Sequence, residues 1–299
     1  WFFSEFAERQ HRRQLIDSGG TMPVGIDKID QAMGGGLQYG ELEVVMAYSG
    51  IGKTFWCVQR GFVCARIRRK CLHIVLEGGR RKTEDRYEAR FSETLYGKVK
   101  SGDIESSVIR LMMREYRMLQ RNLVVRGFGD LDSWAASYDD ILGELSELRT
   151  ANGFVPDLII VDYGDLMAAP GDSETQRQKI AFRQLKALSE RQEFRGHQGY
   201  AVTSPTQAQR PSKTADEVEH VLKPQQVADC YEKVRVADAI TSINRTREEA
   251  ENNIARVFLG KYRDSEDGQI VRVRTDYARG AFCDMTRAAP PKPPVIHAV

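Results

Sequence analysis

The sequence predicts an α/β chain, with a mainly parallel twisted sheet flanked by helices and an antiparallel extension at the C-terminal end. Three observations predict it. From residue 42 to residue 203, short apolar runs alternate with long helical patterns, and that rhythm builds βαβ units whose strands are covered on both faces. A glycine-rich loop joins the first apolar run to the first of those helices. After Ala237 the helical patterns give way to strand-like runs with polar connections.

Taken in order, residues 1–17 (WFFSEFAERQHRRQLID) place apolar side chains at 2, 3, 6 and 15 among many charges. That is an amphipathic helix too short to stand without a partner surface. Ser18-Gly19-Gly20 ends it as a hinge. Strands are expected at 42–47, 72–76, 123–125, 158–161 and 200–203, and helices at 53–68, 83–96, 133–148 and 174–193. Strand-like runs follow at 237–243, 254–259 and 270–275, the simplest reading being the antiparallel extension. The organisation is therefore a linker helix and hinge over 1–20, one large domain over 21–286, and a Pro-rich extended tail over 287–299. No internal repeat is present.

At 299 residues the chain is long enough for a substantial core. With 41% hydrophobic and 29% charged residues it has the composition of an ordinary globular protein rather than a disordered or fibrous one. No run reaches the roughly 18 apolar residues of a membrane span. The formal net charge of +2 means that any polyanion must be met by a local basic surface. Five cysteines (Cys57, Cys64, Cys71, Cys230, Cys283) include no CxxC pair and argue for a reducing, intracellular setting. Cys57 and Cys64 are expected to share one buried helical face. The chain starts at Trp1 without a Met or a signal-peptide pattern, which reads as part of something longer.

The loop Ala47-Tyr48-Ser49-Gly50-Ile51-Gly52-Lys53-Thr54 follows a predicted strand and opens a predicted helix, the context that a phosphate-binding P-loop requires. Gly50 and Gly52 permit a tight wrap with backbone N–H groups turned inward, and the helix N-terminus adds a favourable field for phosphate. Lys53 would reach the β and γ phosphates and Thr54 would offer its hydroxyl to Mg²⁺. Ser49, Gly50, Ile51, Gly52, Lys53, Thr54 and Phe55 are the candidate nucleotide contacts. The usual first Gly is Ala47, and a plain strand-to-helix turn using glycines remains the alternative.

Two acids at predicted strand ends add to this. Pro156-Asp157-Leu158-Ile159-Ile160-Val161-Asp162 delivers Asp162 where a carboxylate holds magnesium's water shell, or else caps the next turn. Glu77 ends the run Leu72-His73-Ile74-Val75-Leu76, where it would polarise an attacking water as general base, or stand solvated.

With these residues in place the chain resembles the RecA-like motor domain of DnaB-type hexameric replicative helicases, in a phage-encoded branch, from about Val24 to Met285. Val24-Gly25-Ile26-Asp27-Lys28-Ile29-Asp30 and Gly36-Leu37-Gln38-Tyr39-Gly40-Glu41-Leu42 are similar to that family's approach to its first strand. A P-loop with Ala in first position is also similar to the family's. Leu76-Glu77 resembles its strand end bearing the catalytic glutamate. Asp162-Tyr163-Gly164-Asp165-Leu166-Met167 resembles its Asp-Tyr-Leu-Gln-Leu segment, with Gly164 and Asp165 replacing the usual Leu and Gln. Thr203-Ser204-Pro205-Thr206-Gln207 sits where the family has a γ-phosphate-sensing glutamine, which leaves Gln207 the candidate sensor and Gln209 its rival. Lys261-Tyr262-Arg263-Asp264 resembles the Lys-x-Arg-Asn motif that reaches a neighbouring subunit's nucleotide, with Arg263 as arginine finger and Lys261 its companion.

The resemblance implies ATP and Mg²⁺ as ligands, a hexameric ring, 5′-to-3′ movement on single-stranded DNA in the cytoplasm of a bacterial host, and primase, loader and polymerase as partners. Lys223, Lys233 and Arg235, in the segment 213–235, are the candidate DNA-phosphate contacts. The alternatives are a RecA-type recombinase or clock-type ATPase, and a ring subunit that binds nucleotide only as a structural element.

Overall fold

The computed structural model describes residues 20–119, 121–128, 135–193, 198–208, 221–224, 231–262 and 268–286. The linker helix over 1–17, hinge residues 18 and 19, Gln209, Cys230, Arg263 and the tail from residue 287 lie outside the described residues. A short ribbon, β1 (Thr21–Met22) and β2 (Leu37–Gln38), brackets α1 (Asp27–Ala32) ahead of the main sheet. The run LEVVMA then forms β3 (Leu42–Ala47), buried along its whole length. Its two-residue period divides the interior: Leu42, Val44 and Met46 enter one apolar cluster, Val45 and Ala47 another on the opposite face.

The remaining elements follow in βα alternation: α2 (Lys53–Arg66), β4 (Cys71–Val75), α3 (Arg80–Ser92), α4 (Tyr96–Ser101), α5 (Ser106–Leu119), β5 (Leu123–Gly127), α6 (Tyr138–Asn152), β6 (Leu158–Asp162), α7 (Glu174–Glu190) and β7 (Ala201–Gln207). Then come α8 (Glu232–Val236), β8 (Ala239–Asn244), α9 (Arg247–Glu251), β9 (Ile254–Tyr262), β10 (Gln269–Asp276) and β11 (Ala281–Asp284). Nine strands make one sheet in the order β11-β10-β9-β8-β3-β7-β6-β4-β5. From β8 to β5 all neighbours are parallel, and β9, β10 and β11 add antiparallel pairs. Ile141 and Leu145 of α6 with Phe182 and Leu185 of α7 cover one face. Ile29 of α1 and Trp56, Cys57 and Cys64 of α2 cover the other, so the two cysteines do share a buried face.

Local chemistry sets the helix limits. Ser137 and Asp140 form a reciprocal capping box that starts α6, later than residue 133, and Gly153 ends it in the left-handed region. Ser173 caps α7 by accepting the Gln176 amide. The helix expected over 83–96 is two: α3 begins at Arg80 and ends where Glu93 takes φ 55°, and α4 starts afresh. Helix α5, the β1–β2 ribbon and β11 were not expected from the sequence. The antiparallel extension starts one strand later than expected, because β8 pairs in parallel with β3. Strand β7 continues to Gln207 through Pro205, which aligns with Val45 of β3, while pairing with β6 ends at Thr203. The residue lacking an N–H therefore sits beyond the ladder on that side.

One buried ion pair ties the sheet to α2. Glu43 lies on the α2 face of β3, fully buried, with Arg60 Nε 3.3 Å from its Oε2. Thr203 and Thr241 donate to its two oxygens at 2.9 and 3.0 Å, and Arg60 also donates to the Met22 carbonyl at 2.7 Å. Breaking such a pair leaves one buried charge uncompensated. Arg60→Ala should lose about 3–5 kcal/mol in chemical denaturation, whereas the double replacement Glu43→Gln with Arg60→Met should lose clearly less than Arg60→Ala alone.

Candidate functional site

The carboxyl ends of β3, β4, β6 and β7 meet along one edge of the sheet. The loop leaving β3 turns through Gly50 (φ 80°) and Gly52 (φ 116°) into α2. Gly52 is required twice over. Its φ is in the left-handed region, and an added Cβ would lie 2.6 Å from the Tyr277 hydroxyl. It is also the N-cap of α2 and supplies no side chain to the first-turn N–H groups, which leaves them suited to an anion. Lys53 and Thr54 open the helix half-buried. The Lys53 ammonium donates to the Ala47 carbonyl at 3.3 Å across the loop. Burial lowers its pKa, opposed by the charges of Glu77, Asp162 and Asp165.

Strand pairing brings the two acids together. Asp162 aligns with Val75, and its carbonyl accepts the Leu76 N–H at 2.7 Å and the Glu77 N–H at 3.3 Å. Asp162 is buried, with no hydrogen-bond partner on Oδ2 among the described residues; Glu77 is exposed at its strand end. A buried carboxylate so poorly satisfied is costly without a cation nearby. Asp162 with the Thr54 hydroxyl thus fits a magnesium ion that keeps most of its waters and takes its remaining contacts from phosphate. Gln207 is exposed at the end of β7, in register with Ala47 at the start of the loop. Lys53, Glu77, Asp162 and Gln207 are therefore gathered at one edge.

The basic residues assigned to DNA behave differently from one another. Lys233 is a correction: it is 1% exposed, its ammonium ion-paired with Asp165 and hydrogen-bonded to Thr206 Oγ1 at 3.0 Å. A charge held inside by that partner is not offered to a polyanion. Arg235 is exposed and pairs with Glu232 at 2.7 Å, and Lys223 is exposed on the short described stretch 221–224. Lys261 donates to the Val234 carbonyl at 3.0 Å and to that of Ala237, at the end of α8 in its own chain.

Sequence reading missed an aromatic group beside the loop. Tyr277 donates its hydroxyl to the Ile51 carbonyl at 2.5 Å, and its ring stacks on Phe55 at 4.8 Å and 9°. The Arg245 guanidinium lies 5.0 Å over the Tyr277 ring, and Arg86 lies 5.2 Å over Phe55. Burial pushes the Tyr277 pKa up to about 12, so the hydroxyl stays a donor. Tyr277 is 226 residues from Ile51, and no local pattern announces the contact.

Residues 21–279 match the family model of the DnaB-like helicase C terminal domain. A curated relative, the replicative DNA helicase DnaB of Nostoc sp. (strain PCC 7120 / SAG 25.82 / UTEX 2576), is 26% identical over 187 residues, 62% of this chain. The chain spans 21% of that relative's length. The solved ATPase domain of the protein G40P is similar in fold, with a TM-score of 0.72 at 18% identity, covering 93% of this chain and 97% of that one. A solved DnaB-like replicative helicase, described with its interactions with primase, gives a TM-score of 0.72 at 17% identity over 94% of this chain and 66% of its own.

The aromatic group makes a quantitative prediction. Tyr277→Ala removes one stacking contact and one hydrogen bond beside the loop and should weaken binding of a fluorescent ATP analogue roughly tenfold. Tyr277→Phe keeps the stack and should lose about half as much free energy in the same titration.

Proposed function

The chain belongs to the DnaB-like helicase C-terminal domain family, and on that premise we propose that it is the ATP-hydrolysing motor of a replicative DNA helicase. The observation that carries the reading is the edge at which the Asp162 carbonyl holds the Glu77 backbone, the charges of both acids act on Lys53, and Gln207 stands in register with Ala47 at the start of the loop. ATP lies with its phosphates against the backbone of Ser49, Gly50, Ile51, Gly52, Lys53, Thr54 and Phe55, a loop braced by Tyr277, whose ring is packed between Phe55 and the Arg245 guanidinium. Thr54 and Asp162 would hold Mg²⁺, which would supply neutralising charge to the phosphates. Glu77 takes the proton of the attacking water, Lys53 neutralises charge on the β and γ phosphates, and Gln207 senses the γ-phosphate.

The site is completed by a second copy. Arg263 reaches the γ-phosphate of the neighbouring subunit, a role that rests on its sequence motif, and Lys261 joins it only by leaving the Val234 and Ala237 carbonyls of its own chain. Such a contact in trans calls for a ring, and a hexamer moving 5′-to-3′ on single-stranded DNA in a bacterial cytoplasm is the assembly proposed. Lys223 and Arg235 are the remaining candidates for the DNA backbone, and primase, loader and polymerase are the proposed partners. Among the described residues no helix is long and apolar enough to cross a membrane.

Glu77→Gln tests the core of the reading. Turnover should fall by about 10²- to 10⁴-fold while nucleotide binding is kept, and single-stranded DNA should stimulate the wild-type assembly, which unwinds a 5′-tailed fork. Hydrolysis indifferent to DNA, with no strand separation by closed rings, contradicts it. Open filaments on DNA would favour a recombinase-type ATPase instead.

A further inference from the structure

Behind Asp162, on the buried side of β4, stands a histidine that the proposed reaction does not use. His73 is fully buried, its Nδ1 lies 2.9 Å from the Tyr87 hydroxyl of α3, and its Nε2 faces Asp162 Oδ2 at 3.9 Å. Both His73 Nε2 and Asp162 Oδ2 lack a hydrogen-bond partner among the described residues. We infer that His73, oriented by Tyr87, is a positioning residue for Asp162: its Nε2–H holds Oδ2 and fixes the rotation of the carboxylate that meets magnesium. The inference rests on the reading of Asp162 as the magnesium acid.

The proton assignment follows from electrostatics. Burial pushes the Tyr87 hydroxyl well above its ordinary range, so it stays protonated and able to donate to Nδ1. Nε2 then carries the ring hydrogen and points it at a carboxylate. The opposite tautomer would set the Nε2 lone pair against a buried carboxylate oxygen 3.9 Å away, an unfavourable contact at low dielectric. The ring is also held sterically. It packs edge-on to Tyr87 at 5.7 Å and 88°, and Tyr87 is seated against Gly61 of α2, where an added Cβ would lie 2.0 Å from its hydroxyl. The helix that begins at Lys53 therefore fixes Tyr87, Tyr87 fixes His73, and His73 faces the acid. A gap of 3.9 Å is longer than a hydrogen bond and must close to hydrogen-bond length when the cation binds, as catalytic contacts often do. Histidine usually ligates metal with a carboxylate behind it; here the order is reversed, with the carboxylate in front and the imidazole as its support.

The test is Mn²⁺ binding to the ADP-loaded full chain, read by the loss of the free-ion electron paramagnetic resonance signal. His73→Phe keeps the volume and removes the donor, and it should weaken Mn²⁺ binding about tenfold or more with metal-free ADP binding unchanged. His73→Gln restores a donor and should return to within about threefold of the wild type, and Tyr87→Phe should fall about threefold. In the wild type, nitrogen-15 correlation spectra should show His73, one of five histidines, as the Nε2–H tautomer. Wild-type Mn²⁺ affinity in folded His73→Phe, equal losses in the Phe and Gln variants, or an Nδ1–H tautomer each overturns the inference. If His73→Phe does not fold, Tyr87→Phe and the tautomer decide it. Asp162→Asn separates the two levels: unchanged Mn²⁺ affinity there removes the magnesium role of Asp162 itself, whereas loss there with none in His73→Phe removes only the support.

Discussion

The parallel register of β4 with β6 and of β3 with β7 is the constraint on which the site depends. It sets the Asp162 carbonyl against the amides of Leu76 and Glu77, and it sets Gln207 beside Ala47. A slip of one residue in either pair would turn an acid or the amide to the other face of the sheet. Register is in turn secured by burial on both faces, since each strand must present one row of side chains to α6 and α7 and the other to α1 and α2. The chemistry at the edge is thus specified by packing several residues below it.

Charge is arranged in the same layered way. Glu43 with Arg60, and Asp165 with Lys233, are ion pairs inside the molecule: the first joins β3 to α2, and the second joins the turn after β6 to α8, whose Lys233 also bonds Thr206 of β7. Two of the residues at which the chain departs from its family's pattern, Gly164 and Asp165, are compensated locally. An added Cβ on Gly164 would lie 2.8 Å from both the Leu185 side chain and Ser204 Oγ, and that hydroxyl accepts the Gly164 amide at 2.9 Å. Asp165, placed near Lys53 and Asp162, has its charge met by Lys233. Without that partner a third acid would compete for the lysine and the cation that the phosphates need.

Much of this was legible in the sequence because it is written in contiguous residues. The loop from Ala47 to Thr54, the apolar run ending in Asp162 and the helical pattern opening at Glu174 are local patterns, and each stands where its pattern predicts. What escaped is non-local. Lys233 reads as a DNA-phosphate contact in the segment 213–235 until Asp165, 68 residues away, takes it inside. Tyr277 reads as an isolated aromatic until the chain returns it to the loop. Periodicity marks β8 as a strand without giving its direction, and the strand expected over 200–203 runs on through Pro205 because its pairing with β6 ends at Thr203 while that with β3 continues.

The most direct test of the account is a high-resolution map of the assembled chain with Mg²⁺ and ADP–aluminium fluoride. The map should show phosphates against the backbone of Ser49 to Thr54, the cation between the Thr54 hydroxyl and Asp162, Glu77 facing the γ-phosphate mimic, and Arg263 of a neighbouring copy reaching it. A nucleotide bound away from this loop, or a cation held without Asp162, would contradict the account.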